Sequence, residues 1–358
     1  MHPLPDLDPA LSPVLSVIID SLADVQRIFD EQLRSELPPV AQLVAHIDHY
    51  RGKMLRPMLV LVSGLTAHPR VGEGRAGGGE STDLRSLLSP QHIATAAVCE
   101  MVHMATLVHD DVLDEADTRR RGDTVNRLHG NETAVILGDY LIASAYHLCS
   151  RASTPRAAVA VGRASTVMCA GELLQLHHRG DFSLDEPTYY EIVERKTAEL
   201  IATACELGAS LSGADDNTCR LLADFGRCVG VAFQIQDDLL DITGSEKITG
   251  KSVGKDLEKG KMTLPLIHYL ANAAPHDRGR AITLLEVACD DGAAGDPDTQ
   301  GAAADLAAML KKSGSLAFAA AKAKSLVQGA KSAVTQRPES LPRGGMLAMA
   351  DAVVTRAF

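Results

Sequence analysis

The segment from Gln91 to Val112, QHIATAAVCEMVHMATLVHDDV, contains neither Gly nor Pro and repeats apolar side chains every three or four positions. That spacing demands an α-helix with a buried face. Four more stretches behave alike: ETAVILGDYLIASAYHLCS (132–150), STVMCAGELLQLHH (165–178), TYYEIVERKTAELIATACELGASL (188–211) and TCRLLADFGRCVGVAFQIQDDLLDI (218–242). Alternating strand patterns are scarce and no β-α-β rhythm appears, so the chain reads as all-α. Its 358 residues, 46% of them hydrophobic, can bury a sizeable core. The Gly-rich stretches His68–Asp83 and Cys289–Gly301 mark flexible loops, near 68–90 and 289–304, inside one domain spanning 1–358. The Ala/Lys-rich tail from Asp305 to Ala333 is expected to pack on that domain as helices.

Composition removes several functions. Lys and Arg number 35 against 46 Asp and Glu, a net charge of −11, and there is no Trp. Neither an electrostatic surface for nucleic acid nor a stacking platform is expected. The seven Cys form no C-x-x-C pair, which suits a reducing cytoplasm better than a disulfide framework or a zinc site. The acidic start, MHPLPDLDPALSPVLSVIID, lacks the basic head of a signal peptide. No apolar run is read as long enough to span a bilayer.

The informative chemistry is ionic. Asp110, Asp111 and Asp114 form a D-D-x-x-D cluster followed by Arg119, Arg120 and Arg121. On a helix, Asp110 and Asp114 share a face and Asp111 lies about 100° round. Like charges at that spacing repel, and a hard cation would relieve them. The spacing returns in FQIQDDLLD as Asp237, Asp238 and Asp241, again ending an apolar helix. Two such clusters are hard to explain as surface decoration. Facing each other across a bundle, they could hold Mg²⁺ and one diphosphate. Cations accompany them: Lys53 and Arg56 in GKMLRP, Lys196 in ERKTAEL, and Lys251 and Lys261 in TGKSVGKDLEKGKMTLP. The TGKS piece fails as a nucleotide-binding phosphate loop, because Ser245 stands where the first Gly is needed and a helix precedes it.

Taken in order, GKMLRP, VHMATLVHDDVLDEADTRR, GELLQ, RKTAEL, FQIQDDLLD and GKSVGKDLEKGKMTLPL resemble the trans (head-to-tail) polyprenyl diphosphate synthases, over about Gly52 to Pro265. The resemblance implies an isoprenoid-synthase helical bundle around a deep central cavity, as a homodimer. It implies that Asp110, Asp114 and Asp237 bind about three Mg²⁺ with the allylic diphosphate, with Asp111, Asp238 and Asp241 in support. Arg119, Lys196 and Lys261, with Lys251 close by, would hold that diphosphate. Lys53, Arg56, His103 and Arg120 would hold isopentenyl diphosphate, and Thr197 and Gln234 would line the reacting centre. Helical arithmetic independently puts His103 on the same side as Asp110, seven residues on; His109 is given a supporting role at most. The chain departs from the family pattern at Arg51, where Gly is usual, at Met54, where a basic residue is frequent, and in RRRGDTVN, so the loop after Arg120 is expected to differ in shape.

In that family, bulk before the first D-D-x-x-D limits product length. Ala105 and Thr106 are small here, which resembles the long-chain synthases and implies a product longer than C20. The cavity floor is then expected on the helix of LGDYLIASAYHL, at Tyr146. Three rivals stand beside this reading: a short-chain (C15 or C20) synthase, a class I terpene cyclase, and a partner subunit of a heteromeric synthase. The full second D-D-x-x-D with Lys53 and Arg56 favours elongation over cyclisation. Retention of all six Asp disfavours a partner subunit.

Overall fold

A computed structural model describes residues 8–71, 83–120, 122–243, 255–289 and 297–355. The described chain is almost entirely helical: α1 Ser12–Leu33, α2 Pro38–His46, α3 Leu55–Ala67, α4 Pro90–Leu113, α5 Val125–His129, α6 Asn131–Ala152, α7 Pro155–His177, α8 Glu186–Val193, α9 Glu199–Leu211 and α10 Asp216–Thr243. There follow α11 Lys255–Glu258, α12 Leu264–Asn272, α13 Pro275–Ala288, α14 Pro297–Lys312, α15 Ser315–Val334 and α16 Leu341–Thr355. Several starts are written locally. Pro90 follows the N-cap Ser89, whose hydroxyl and the His92 ring close a reciprocal cap, and Asp185 accepts the Thr188 N–H at 2.9 Å to open α8.

The chain divides into two compact units. The first holds Met1–Thr166, Leu200–Gly226 and Lys331–Met349; the second holds Val167–Glu199, Arg227–Ala330 and Ala350–Phe358. In the first unit α4 packs on α6, α3 and α1, and everything from His92 to Val102 is buried. A methyl group added at Gly208 of α9 would strike the Val60 carbonyl of α3 and come within 3.0 Å of the Gly64 nitrogen. Because backbone cannot yield as a side chain can, Gly208→Ala is expected to destabilise the protein by about 1–3 kcal/mol in denaturant titrations. In the second unit α12 packs on α8, and α13 packs on α14, around Ile235, Leu257, Leu264, Leu285 and Leu306.

Four expectations need amendment. The stretch 188–211 is not one α-helix: a π-turn, Glu194–Ala198, interrupts it. The loop expected at Cys289–Gly301 is helical from Pro297, while residues 72–82 and 290–296 lie outside the described residues. A two-residue hairpin, β1 Thr118–Arg119 and β2 Gly122–Asp123, follows α4 unannounced, with Arg119 paired to Gly122. Finally, α7 is long and apolar enough by composition to cross a membrane, with one third of its apolar window buried. Its apolarity is diluted by Gly, Ser and Thr, which hid it from a search for an unbroken run.

Candidate active site

In the first unit, α4 ends at the first acidic cluster. Asp114 caps the helix and donates its N–H to the Asp110 carbonyl at 2.8 Å. Asp110 and Asp114 keep part of their surface accessible, whereas Asp111 is 1% exposed. The Arg119 guanidinium donates to the Asp111 Oδ1 through Nε at 2.8 Å and Nη2 at 2.7 Å. The buried Tyr50 phenol lies beside the same carboxylate, and burial followed by the Asp111 charge raises its pKa. Asn126 and Thr124 staple the hairpin to α4: the Asn126 Nδ2 donates to the Asp111 and Ala116 carbonyls, both at 3.2 Å, and the Thr124 hydroxyl to Ala116 at 2.5 Å. The RRRGDTVN departure thus builds a fastened hairpin that presents Arg119 and Arg120.

Strained backbone gathers here. Met54, Glu115 and Arg120 are the described non-glycine residues with positive φ, at 51°, 47° and 49°. Each costs of order 1 kcal/mol, a strain that persists where a site's geometry requires it. Gly52 has a clear purpose, since a side chain there would overlap the Arg120 guanidinium. Arg51, unusual at its position, pairs with Asp30 at 2.5 Å and Asp48 at 3.0 Å and stacks over Phe29, fastening this segment to α1.

The fold brings Arg56, His103, Arg119 and Arg120 into one electrostatic neighbourhood. Burial, then the charges of Arg56, Arg119 and Arg120, hold the His103 pKa well below the usual histidine value, so the ring is neutral at pH 7. Lys53 lies exposed just before α3. Along α4, His103, Thr106, Leu107 and Asp110 retain accessible surface as one stripe, while Ala105 has none. Tyr146 lies on α6 and is half-buried.

The second unit repeats the design at the end of α10. Asp238 is fully buried and accepts from the Tyr189 hydroxyl at 2.7 Å, Gln234 Nε2 at 2.9 Å and Lys261 Nζ at 3.3 Å. Gln234 turns its oxygen to the Thr197 hydroxyl at 3.1 Å, and Lys261 also donates to Asp256 at 3.0 Å. Burial works against charge on Lys261, but Asp238 and Asp256 overcome it and hold it cationic. Asp241 accepts the Asp256 N–H at 3.1 Å; burial and then the Asp256 charge push its pKa up to about 6. Asp237 stays partly accessible.

The π-turn distributes three consecutive side chains. Arg195 goes to Glu191 at 2.8 Å, Lys196 to Glu172 of α7, and Thr197 to Gln234. Gly171 permits this, since a Cβ there would come within 2.7 Å of the Lys196 nitrogen. Such extra-residue turns are frequent at functional sites. Tyr50, Tyr189, Glu172 and Asp256 were not singled out from the sequence, although the last two lie inside the GELLQ and GKSVGKDLEKGKMTLPL segments. Lys251 lies outside the described residues. A cavity of 490 Å³ beside the π-turn, lined by Tyr190, Glu194, Glu199 and Arg227, holds none of the expected residues.

Asp110 with Asp114, and Asp237 with Asp241, offer only hard oxygen donors. Among the described residues no three metal-ligating side chains form a ready-made cage. The oxygen donors suit a hard divalent cation.

The Polyprenyl synthetase family model matches residues 38–294. The heptaprenyl diphosphate synthase component 2 of Geobacillus stearothermophilus is 36% identical over 262 residues, 73% of this chain and 76% of that one. The octaprenyl diphosphate synthase of Escherichia coli K12 is 33% identical over 276 residues, 77% and 80% of the two chains. Among solved structures, the polyprenyl synthase of Caulobacter crescentus CB15, complexed with calcium and isoprenyl diphosphate, superposes with a TM-score of 0.83 at 29% identity, covering 99% of this chain and 100% of that one.

Proposed function

Because the chain belongs to the polyprenyl synthetase family, with the isoprenoid-synthase helical fold, we propose that it condenses isopentenyl diphosphate with an allylic diphosphate primer into a trans-polyprenyl diphosphate longer than C20. The observation that carries this reading is the same in both units. At each D-D-x-x-D helix end the second Asp is buried against a cation, Arg119 or Lys261, while the first keeps accessible surface. Carboxylates and cations are thus prepared side by side, as a departing diphosphate requires.

Asp110, Asp114, Asp237 and Asp241 would hold Mg²⁺, about three ions, with Asp111 and Asp238 positioning Arg119 and Lys261. Mg²⁺ held by those carboxylates would supply charge neutralisation for the diphosphate that leaves when the allylic C–O bond ionises. Arg119, Lys196 and Lys261 bind its oxygens. Lys53, Arg56 and Arg120 bind isopentenyl diphosphate, and neutral His103 contributes a hydrogen bond without further charge. Thr197 and Gln234, fixed to each other, line the reacting carbons. The isopentenyl double bond attacks the allylic cation, and the proton then lost passes to the released diphosphate. Apolar walls keep water from the cation.

A homodimer suits the exposed apolar residues Val135 and Ile136 on α6 and Val159 on α7, all in the first unit. Light scattering of the purified protein measures it. The free cysteines suit a cytoplasmic site of action.

The test is incubation of the purified chain alone with Mg²⁺, labelled isopentenyl diphosphate and dimethylallyl, geranyl or farnesyl diphosphate, with products sized by chromatography. Elongation past C20 is expected. No incorporation by folded protein would overturn the reading, and activity restored only by a second protein would make the chain one component of a heteromer. Thr106 lies on the accessible stripe of α4 and Ala105 does not, so Thr106→Tyr is expected to shorten the product by at least one isoprene unit without abolishing turnover. Ala105→Tyr should shorten it only with a loss of stability, because its site is already filled. An unchanged product from Thr106→Tyr would remove this stripe as a determinant of length.

A further inference from the structure

The segment between α2 and α3 carries an arginine that the elongation chemistry does not use. Arg51 follows the tight turn Ile47–Tyr50, with 19% of its side chain exposed. Its guanidinium pairs with Asp30 of α1 at 2.5 Å and with Asp48 at 3.0 Å, and it lies 4.6 Å from the centre of the buried Phe29 ring. Ion pairs open to water are individually weak. This guanidinium is mostly covered, stacked on a ring and shared between two carboxylates, which restricts the side chain to few geometries. It ties a connecting segment to a long helix. All of these residues belong to the first unit.

The backbone of the same segment receives Arg120, whose Nη1 donates to the Arg51 carbonyl at 3.2 Å. The Arg120 guanidinium lies so close against Gly52 that a Cβ there would come within 2.2 Å of its Nη2. Neighbouring residues clasp the rest of the hairpin. The Tyr50 hydroxyl accepts the Val125 N–H at 3.2 Å, the His46 Nε2 donates to the Asp123 carbonyl at 2.9 Å, and the His49 ring fills the space a side chain would take at Gly122. Left-handed backbone flanks the contact, at Met54 and at Arg120 itself, and such backbone persists only where its surroundings hold it. A shift of residues 51 and 52 would therefore shift the Arg120 guanidinium, and the exposed Lys53 beside it.

We infer that Arg51 is a positioning residue: anchored on α1, it fixes the backbone against which Arg120 rests and from which Lys53 extends, the two cations assigned above to the diphosphate of isopentenyl diphosphate. This rests on the elongation reaction proposed above. Arg51 does not itself meet the diphosphate, because its guanidinium is turned to Asp30 and Asp48. Two carboxylates offset its charge, so its contribution to the site is restraint.

Arg51→Gln removes the charge and the fork while keeping a polar side chain. It is expected to raise KM for isopentenyl diphosphate about fivefold, as loss of preorganisation does, with KM for the allylic primer changed less than about twofold and kcat nearly intact. Arg51→Lys keeps the charge without the fork and should recover part of the effect. Asp30→Asn lies on α1 and removes only the anchor, so it should raise the same KM about threefold, and combining it with Arg51→Gln should do no more than Arg51→Gln alone. Asp24→Asn breaks a different ion pair of α1, with Arg85 at 2.6 Å, and should move neither KM. Calorimetric titration with isopentenyl diphosphate in EDTA supplies a readout free of turnover, and Arg51→Gln should bind about fivefold more weakly there too. Equal affinity of wild type and Arg51→Gln in that titration, or an equal rise of both KM values, would overturn the role of Arg51. So would an Asp30→Asn protein that behaves as wild type, or effects of the two substitutions that add, since either result would have Arg51 act without its anchor. If wild type binds isopentenyl diphosphate but elongates no primer, the elongation reading fails while the titration still decides the role of Arg51. Absence of binding by wild type would overturn both.

Discussion

Asp110→Ala is expected to lower kcat/KM for Mg²⁺-dependent elongation by about 10²–10³-fold, the scale on which single groups that stabilise developing charge act. Asp237→Ala should match it. Both side chains are partly accessible at helix ends, and Asp110 has Asp114 one turn away. Removing a carboxylate from such a pair relieves repulsion, so stability in urea should stay within about 0.5 kcal/mol of wild type. Loss of activity with stability retained is what a ligand to substrate-bound metal predicts. Raising Mg²⁺ should recover part of the rate. Wild-type turnover in Asp110→Ala would take that residue out of the metal set.

Asp238→Ala should show the opposite signature. Its carboxylate is fully buried and serves Tyr189, Gln234 and Lys261 at once. Truncation takes the acceptor from the Tyr189 phenol and the Gln234 Nε2 and leaves Lys261 with Asp256. Breaking a buried ionic network from one side costs about 3–5 kcal/mol, so a large drop in the urea midpoint and in Tm is expected. Asp238→Asn retains an acceptor for Tyr189 and should cost less than half as much. If Asp238→Ala unfolded at the wild-type urea midpoint, the network would be decorative, and Lys261 would have to be held by other means.

These contrasting expectations arise within identical motifs, which marks how far the sequence could be read. The helices at Gln91–Val112, 132–150 and 218–242 were legible to within one or two residues, because long apolar periodicity without Gly or Pro admits little else. The interrupted helix at 188–211 was not, because a π-turn leaves hydrophobic periodicity almost unaltered; what stabilises it is the close approach of Gly171 and the pairing of Lys196 with Glu172, both contributed by α7.

The sequence by itself determined the all-α class, the two acidic helix ends and the cations that travel with them. Each of these rests on near-neighbour spacing along the chain. Only the tertiary structure decided what each charge does. The 100° step between Asp110 and Asp111, or between Asp237 and Asp238, guarantees that the two carboxylates diverge; which one enters the core depends on the elements packed against the helix. A hairpin carrying Arg119 draws in Asp111. Tyr189 and Lys261 draw in Asp238.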